Sequence, residues 1–342
     1  MPTQITHVNL QYSHTIGRGE QFGPGFTQPV FMARGEDDLM YVLCRASEYR
    51  PEGTRITVCT VGEEYVTAFA RGVPQQGPHE FNFEDGSLVW PTCLAIDRDQ
   101  NVYVSDEWMN RISIFNKDGD YLGKWEERTG DGNGELNRPS GLKFDADDHL
   151  YIVDSGNNRI QKFTKDGQFL SKWGSAGSGE GEFNMPWGID LDAQGDVYIA
   201  DWRNDRIQKF TSDGDFLMAF GSSGSGEGEL NRPASVAVDH DGIIYVADWM
   251  NNRLQVFDPD GNFVTMRTGD ATVSQWGKAK LDANAEMWDE RKRAYGIERE
   301  KEFWGPIGVT VDDENRIFVC EPPRNRIQVY HKQSPTFVGP RL

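Results

Sequence analysis

The sequence predicts an all-β chain folded as a closed six-bladed β-propeller of four-stranded antiparallel blades. Three observations carry that reading. One sequence pattern recurs at intervals of 47 or 48 residues over most of the chain. Each copy holds short strand-like runs separated by turn signals. The two ends of the chain supply complementary parts of one blade. Repetition at this period marks an array of supersecondary units.

The elements follow in order. Residues 10–17, LQYSHTIG, match the outermost run FLSKWG of a later copy and precede the first full set of strands. A degenerate first copy starts at Pro29 and runs through MYVLC to RITVCT. The next four copies are marked by Pro91, Pro139, Pro186 and Pro233. In the Pro139 copy the runs GLKFD, LYIVD, RIQKF and FLSKW are separated by ADD, SGNN and KDG. Asp-Gly between alternating apolar runs specifies a hairpin, because glycine accepts the left-handed backbone that the turn needs. Four antiparallel strands per copy form a propeller blade rather than a helix pair. The last copy, from Pro306, stops after its third run, RIQVY. The N-terminal strand is therefore expected to complete the last blade and remove its exposed edge. Residues 1–342 are then one domain.

The formal charge of −19 over 342 residues repels phosphate backbones and argues against general nucleic-acid binding. The apolar runs are too short to cross a bilayer, so no membrane association is expected. MPTQITHVNLQYSH shows no signal-peptide pattern. Cys44, Cys59, Cys93 and Cys320 lack CxxC spacing and read as reduced thiols of a cytoplasmic protein.

The pattern Pro-x-Gly-apolar … Asp-x-x-Asn-x-Arg-Ile-Gln resembles the NHL repeat family, most closely in the second to fifth copies. The resemblance implies the same propeller. Similar propellers include peptide-amidating lyases, which hold zinc with three histidines, and catalytic zinc does take three protein ligands. Of His7, His14, His79, His149, His240 and His331, only His79 falls in a loop of the open channel face. A three-histidine site is not expected. Lactonase-like propellers hold a divalent cation with oxygen ligands, as suits calcium. The matching residues here stand fifteen after each proline: Asp106, Asp154, Asp201, Asp248 and Glu321, with Cys44 in the first copy. Two roles are open to them. They brace a loop through the arginine five positions later (Arg159, Arg206), or they ring a cation. No GxSxG, HExxH or P-loop is present, and GSAGSGEGE and GSSGSGEGE read as connecting loops.

Departures from the repeat are where an individual function belongs. Trp90, Trp187 and Trp304 flank the prolines at the channel mouth and read as a pocket wall. Trp202 and Trp249 share one repeat position and read as inter-blade packing. Arg138 and Arg232 precede their prolines and read either as solvated repeat residues or as a bidentate hold on a carboxylate or phosphate. Arg45, Arg50, Arg55 and Arg71 gather in first-blade loops. Residues 270–302 break the strand pattern. Trp276, Ala279, Ala283, Met287, Ala294 and Ile297 form one helical stripe, Leu281, Ala285, Trp288 and Tyr295 a second, and Gly296 is a stop. A wide apolar face is expected to bury itself, as a lid over the channel or as a surface or dimer element. Two functions remain. One is a binding module presenting its channel face to a protein or small ligand. The other is a metal-assisted hydrolase or lyase, with its site at the mouth under this insertion.

Overall fold

The computed structural model describes residues 7–46, 53–72, 84–125 and 129–333. Six four-stranded antiparallel sheets succeed one another along the chain. Blade 1 comprises Pro29–Arg34, Leu39–Cys44, Arg55–Thr60 and Tyr65–Phe69. Blade 3, the most regular, comprises Pro139–Phe144, His149–Asp154, Arg159–Thr164 and Phe169–Trp173. Blade 6 takes Gly308–Val311, Arg316–Glu321 and Arg326–Lys332 from the C-terminal part, and Leu10–Ile16 as its outer strand. That last pairing runs from Leu10 opposite Lys332 to Ile16 opposite Ile327. The ring closes as the sequence predicts.

The first strands of neighbouring blades touch and line the axis. The glycine of Pro-x-Gly makes this approach feasible. A Cβ on Gly141 would lie 2.6 Å from the Trp187 carbonyl, and one on Gly188 would lie 2.7 Å from the Ser235 Cα. Between blades, buried apolar side chains interdigitate; Tyr151, Val153 and Ile160 of blade 3 meet Ile189, Val197 and Ile199 of blade 4. The Asp-Gly turns serve the same contacts. Gly214 has φ +93°, and its bare Cα faces Trp173 of the preceding blade, where a Cβ would sit 2.7 Å from the indole.

The insertion departs from expectation. It forms two short helices, α1 (Gln275–Asp282) and α2 (Ala285–Arg293), rather than one. Ser274 caps α1 by accepting the Gly277 N–H, and Asn284 caps α2 by accepting that of Glu286. An N-cap residue between the apolar stripes ends the first helix before its face lengthens. Trp276 is buried, while Ala279, Ala283, Ala285, Ala294 and Tyr295 are exposed. The wide buried face is therefore absent. Trp276 meets Phe26 edge-on at 5.6 Å, and Glu63 accepts the N–H groups of Gln275 and Trp276. Tyr12 bonds Thr272, and Arg326 reaches the Glu300 and Glu302 carbonyls. These contacts seat the insertion where blade 6 meets blade 1. No helix among the described residues is long and apolar enough to cross a membrane.

All four cysteines are free and buried. Burial pushes the Cys93 thiol up to about 12 and raises those of Cys44 and Cys320. Reactive thiolate is therefore scarce near neutral pH. A thiol reagent at pH 8 is expected to titrate none of them in the folded protein and all four in denaturant. Rapid reaction of even one thiol in the native state would contradict this burial.

Candidate functional site

The site is built from the turn that leads into each first strand. The residue before the proline adopts a left-handed backbone: Gln28 (φ 47°), Arg138 (54°), Met185 (52°) and Arg232 (54°). Blade 6 has Gly305 there, with φ 58°. In each case the preceding blade hooks the backbone N–H with a side-chain oxygen. Asn110 holds Arg138 at 2.6 Å, Asp205 holds Arg232 at 2.7 Å, and Asn252 holds Gly305 at 2.7 Å. The left-handed region costs a residue with a Cβ about 1–2 kcal/mol, which glycine escapes. Gly305 shows that the turn forms without a side chain. Arg138 and Arg232 keep theirs at that cost, and strain of this kind gathers at functional sites.

The arginines and tryptophans gather in three groups spaced along an arc around the mouth. The Arg45 guanidinium lies 4.4 Å from the Trp90 ring. Glu107, buried, accepts from Arg138 at 2.9 Å and faces Arg45 at 4.0 Å. Trp187 and Trp202 have ring centroids 6.3 Å apart, and Trp202 and Trp249 6.0 Å. Arg232 covers Trp202 at 4.5 Å, and Arg203 approaches the same ring at 5.4 Å. Arg324 stands over Trp304 at 5.2 Å, and Trp304 is itself 58% exposed. Each cation–π contact contributes about 0.5–1 kcal/mol at an exposed site and orients a guanidinium without using its hydrogen-bond edge. Among the described residues, Arg203 and Arg232 keep those edges for an anion, whereas Arg138 donates Nε and Nη2 to Glu107 and Arg324 donates Nη2 to the Arg299 carbonyl.

The five acidic residues lie beside the same prolines, since Asp106, Asp154 and Asp248 pair with Pro91, Pro139 and Pro233. Their oxygens are occupied. One oxygen of Asp154 accepts the Asn137 N–H at 2.7 Å. The other accepts from Asn157 (2.9 Å), Arg159 (2.7 Å) and Gln161 (3.0 Å). Asp201, with Asn184, Asn204, Arg206 and Gln208, repeats the set. So does Asp248, with Asn231, Asn251, Arg253 and Gln255. Glu321 takes Trp304, Arg326 and Gln328, and Asp106 takes four backbone N–H groups. The arginines then clamp carbonyls of the connecting loop, as Arg206 does at Ser178, Gly179 and Glu182. Burial raises the carboxyls of Asp106, Asp154 and Asp201, and their N–H donors oppose the rise. This geometry is the loop brace, and a cation would have to displace those donors. Arg55 clamps carbonyls of Gln21, Glu20 and Gly25 without an acidic partner, Cys44 standing in the acidic place.

Below the mouth the channel narrows to about 10 Å³ of free space among Phe31, Trp187, Ile189 and Ile307. Trp187 floors the open face. On the opposite face, Asp145, Asp147 and His149 bring ligand atoms within 4.8 Å of one another. Asp145 there is already bonded to His149 at 3.2 Å and to Lys162 at 3.1 Å.

Trp90, Arg138, Trp187, Arg232 and Trp304 therefore share one face and one arc. His79 lies outside the described residues. Arg45 from the first-blade arginines and Trp202, which packs on Trp249 of the next blade as its repeat position suggests, join the arc; Glu107 and Arg324 also complete it and escaped sequence reasoning. Trp202 was legible only as a repeat residue, because its contact with Trp187 requires the twist of the second-to-third strand loop toward the axis.

The NHL repeat family matches over residues 136–163, and a 6-bladed beta-propeller family matches over residues 191–339. Among solved structures the chain is similar to virginiamycin B lyase from Staphylococcus aureus in complex with quinupristin. That match has 13% identity and a TM-score of 0.55, covering 96% of this chain and 100% of that one. An auxiliary nutrient binding protein from Bacteroides thetaiotaomicron is similar at 13% identity and a TM-score of 0.63, covering 96% and 78%. A structural genomics protein from Bacteroides thetaiotaomicron is similar at 19% identity and a TM-score of 0.59, covering 96% and 77%. At these identities the likeness is one of fold. No curated protein sequence matches the chain.

Proposed function

For a chain that is an NHL-repeat six-bladed β-propeller, we propose a binding module whose open face takes an acidic, aromatic-bearing segment of a partner protein. The arc of guanidiniums stacked on tryptophans carries this reading. Its rings offer flat apolar surface, and the edges of Arg203 and Arg232 offer paired donors suited to carboxylates. It extends across all six blades, from Arg45 to Arg324, which suits an extended segment better than a compact molecule. Aromatic and arginine residues are the types that concentrate binding energy at interfaces. The metal-assisted hydrolase or lyase reading calls for carboxylates with oxygens to spare at the mouth. The five candidates there spend theirs on N–H donors.

The test is fluorescence anisotropy with a labelled random copolymer of glutamate and tyrosine. Binding is expected to weaken with added salt. It is expected to fall at least tenfold in the double variant Arg138→Gly, Arg232→Gly. The unfolding midpoint of that variant should fall, because Arg138→Gly leaves the buried Glu107 with only Arg45 at 4.0 Å, and relief of the left-handed strain offsets this in part. Equal affinity in variant and parent would remove the arc from the binding site.

A further inference from the structure

The far half of the channel holds a chamber of about 280 Å³, separated from the mouth by the Phe31–Ile189–Ile307 narrowing. Its origin is visible in the repeat. Four residues after the proline, blades 3 and 4 carry Lys143 and Asp190, while the other four blades carry Ala33, Ala95, Ala237 and Thr310. Small residues around most of the ring leave space, and one ion pair stands at its side. Phe31, Leu142, Phe144, Ile189 and Val309 supply apolar wall, and the highly exposed Asp313 marks the outer rim.

Inside this chamber the exposed hydrogen-bonding capacity lies on Lys143. Asp190 receives Lys143 at 2.6 Å on one oxygen and the Val238 N–H at 2.8 Å on the other. Asp312 receives the Glu314 and Arg316 N–H groups and the Arg316 guanidinium. Asp313 is held by His240 at 3.0 Å. The Lys143 ammonium carries three protons, and Asp190 is its recorded partner among the described residues. Its side chain is 42% exposed although the propeller surrounds it, so it faces an open space. Burial works against its charge, but the Asp190 carboxylate outweighs burial and keeps it protonated. Arg34, also on the wall, donates to Asp38 and the Leu39 carbonyl, while its Nε is buried without a hydrogen bond, 3.6 Å from Asp312.

We propose that this chamber is a second binding site, for a small monocarboxylate whose carboxylate meets Lys143 and whose apolar part lies on Phe31 and Phe144. The space is at the small end of ligand cavities, which hold about 300–1,000 Å³. The site is independent of the open-face reading.

Isothermal titration calorimetry with benzoate, against uncharged benzamide and cationic benzylamine, tests it. One saturable benzoate site per chain is expected, with benzamide and benzylamine at least tenfold weaker. The double variant Lys143→Met, Asp190→Asn removes both charges together and is expected to weaken benzoate at least tenfold. The variant Ala95→Leu fills the chamber and is expected to do the same while leaving both charges. The open-face variant Arg138→Gly, Arg232→Gly should bind benzoate as the parent does. Absence of saturable binding, preference for benzylamine, or undiminished binding in both chamber variants would overturn the proposal. Loss of benzoate binding in the open-face variant alone would assign the site to the mouth and overturn it equally. Because the copolymer and benzoate read different ends of the channel, either reading fails without the other.

Discussion

Replacing Asp201 with alanine is expected to lower stability by about 3–5 kcal/mol, the usual cost of stranding one partner of a buried ion pair. Asp201 is fully buried, and it accepts from a backbone N–H, an asparagine, an arginine and a glutamine at once. Arg206 would keep its three loop carbonyls but lose its counter-charge, and Asn204 and Gln208 would lose an acceptor. Each group left buried without a partner adds its own desolvation cost. Asp201→Asn should be only partly milder, since its amide turns one acceptor into a donor facing other donors. Urea unfolding reads both, as a lower midpoint at an unchanged slope. An unchanged midpoint would refute the brace. Intact stability together with loss of a bound divalent ion would favour the cation ring instead.

Replacing Trp276 with alanine should release the insertion while leaving the ring folded. Truncating a buried tryptophan costs about 3–5 kcal/mol. Here the loss falls on one docking contact, because Trp276 is the buried anchor of α1 and α2 against Phe26. Proteolysis follows the population of the open form, so trypsin cleavage between Lys278 and Arg293 should accelerate about a hundredfold. The urea midpoint of the propeller should change far less. Copolymer binding to the open face should stay at the parent level, because the insertion is seated where blade 6 meets blade 1. If cleavage does not accelerate, the anchor is misassigned. If cleavage accelerates and open-face binding collapses with it, the insertion contributes to the mouth after all.

Much of the fold was legible because a propeller is a local code repeated. Pro-x-Gly, the acid fifteen residues later and the Asp-Gly turn each fix backbone and neighbours over short spans. The missing fourth strand of the last copy identified the closing partner at residues 10–17. The insertion was misjudged for a related reason. A stripe of apolar residues gives periodicity, but Asn284 interrupts the helix, and the available surface buries Trp276 while leaving Tyr295 exposed.

By itself, then, the sequence determined the blade count, the strand order, the closure and the positions at the mouth where residues depart from the repeat. These depend on hydrogen bonds and turns within one copy, which the chain states directly. Only the tertiary structure decided which departures act together. Arg45 over Trp90, Arg138 on Glu107 and Lys143 on Asp190 are contacts between blades. Residues about 31 to 47 positions apart become neighbours only once the blades have packed around one axis.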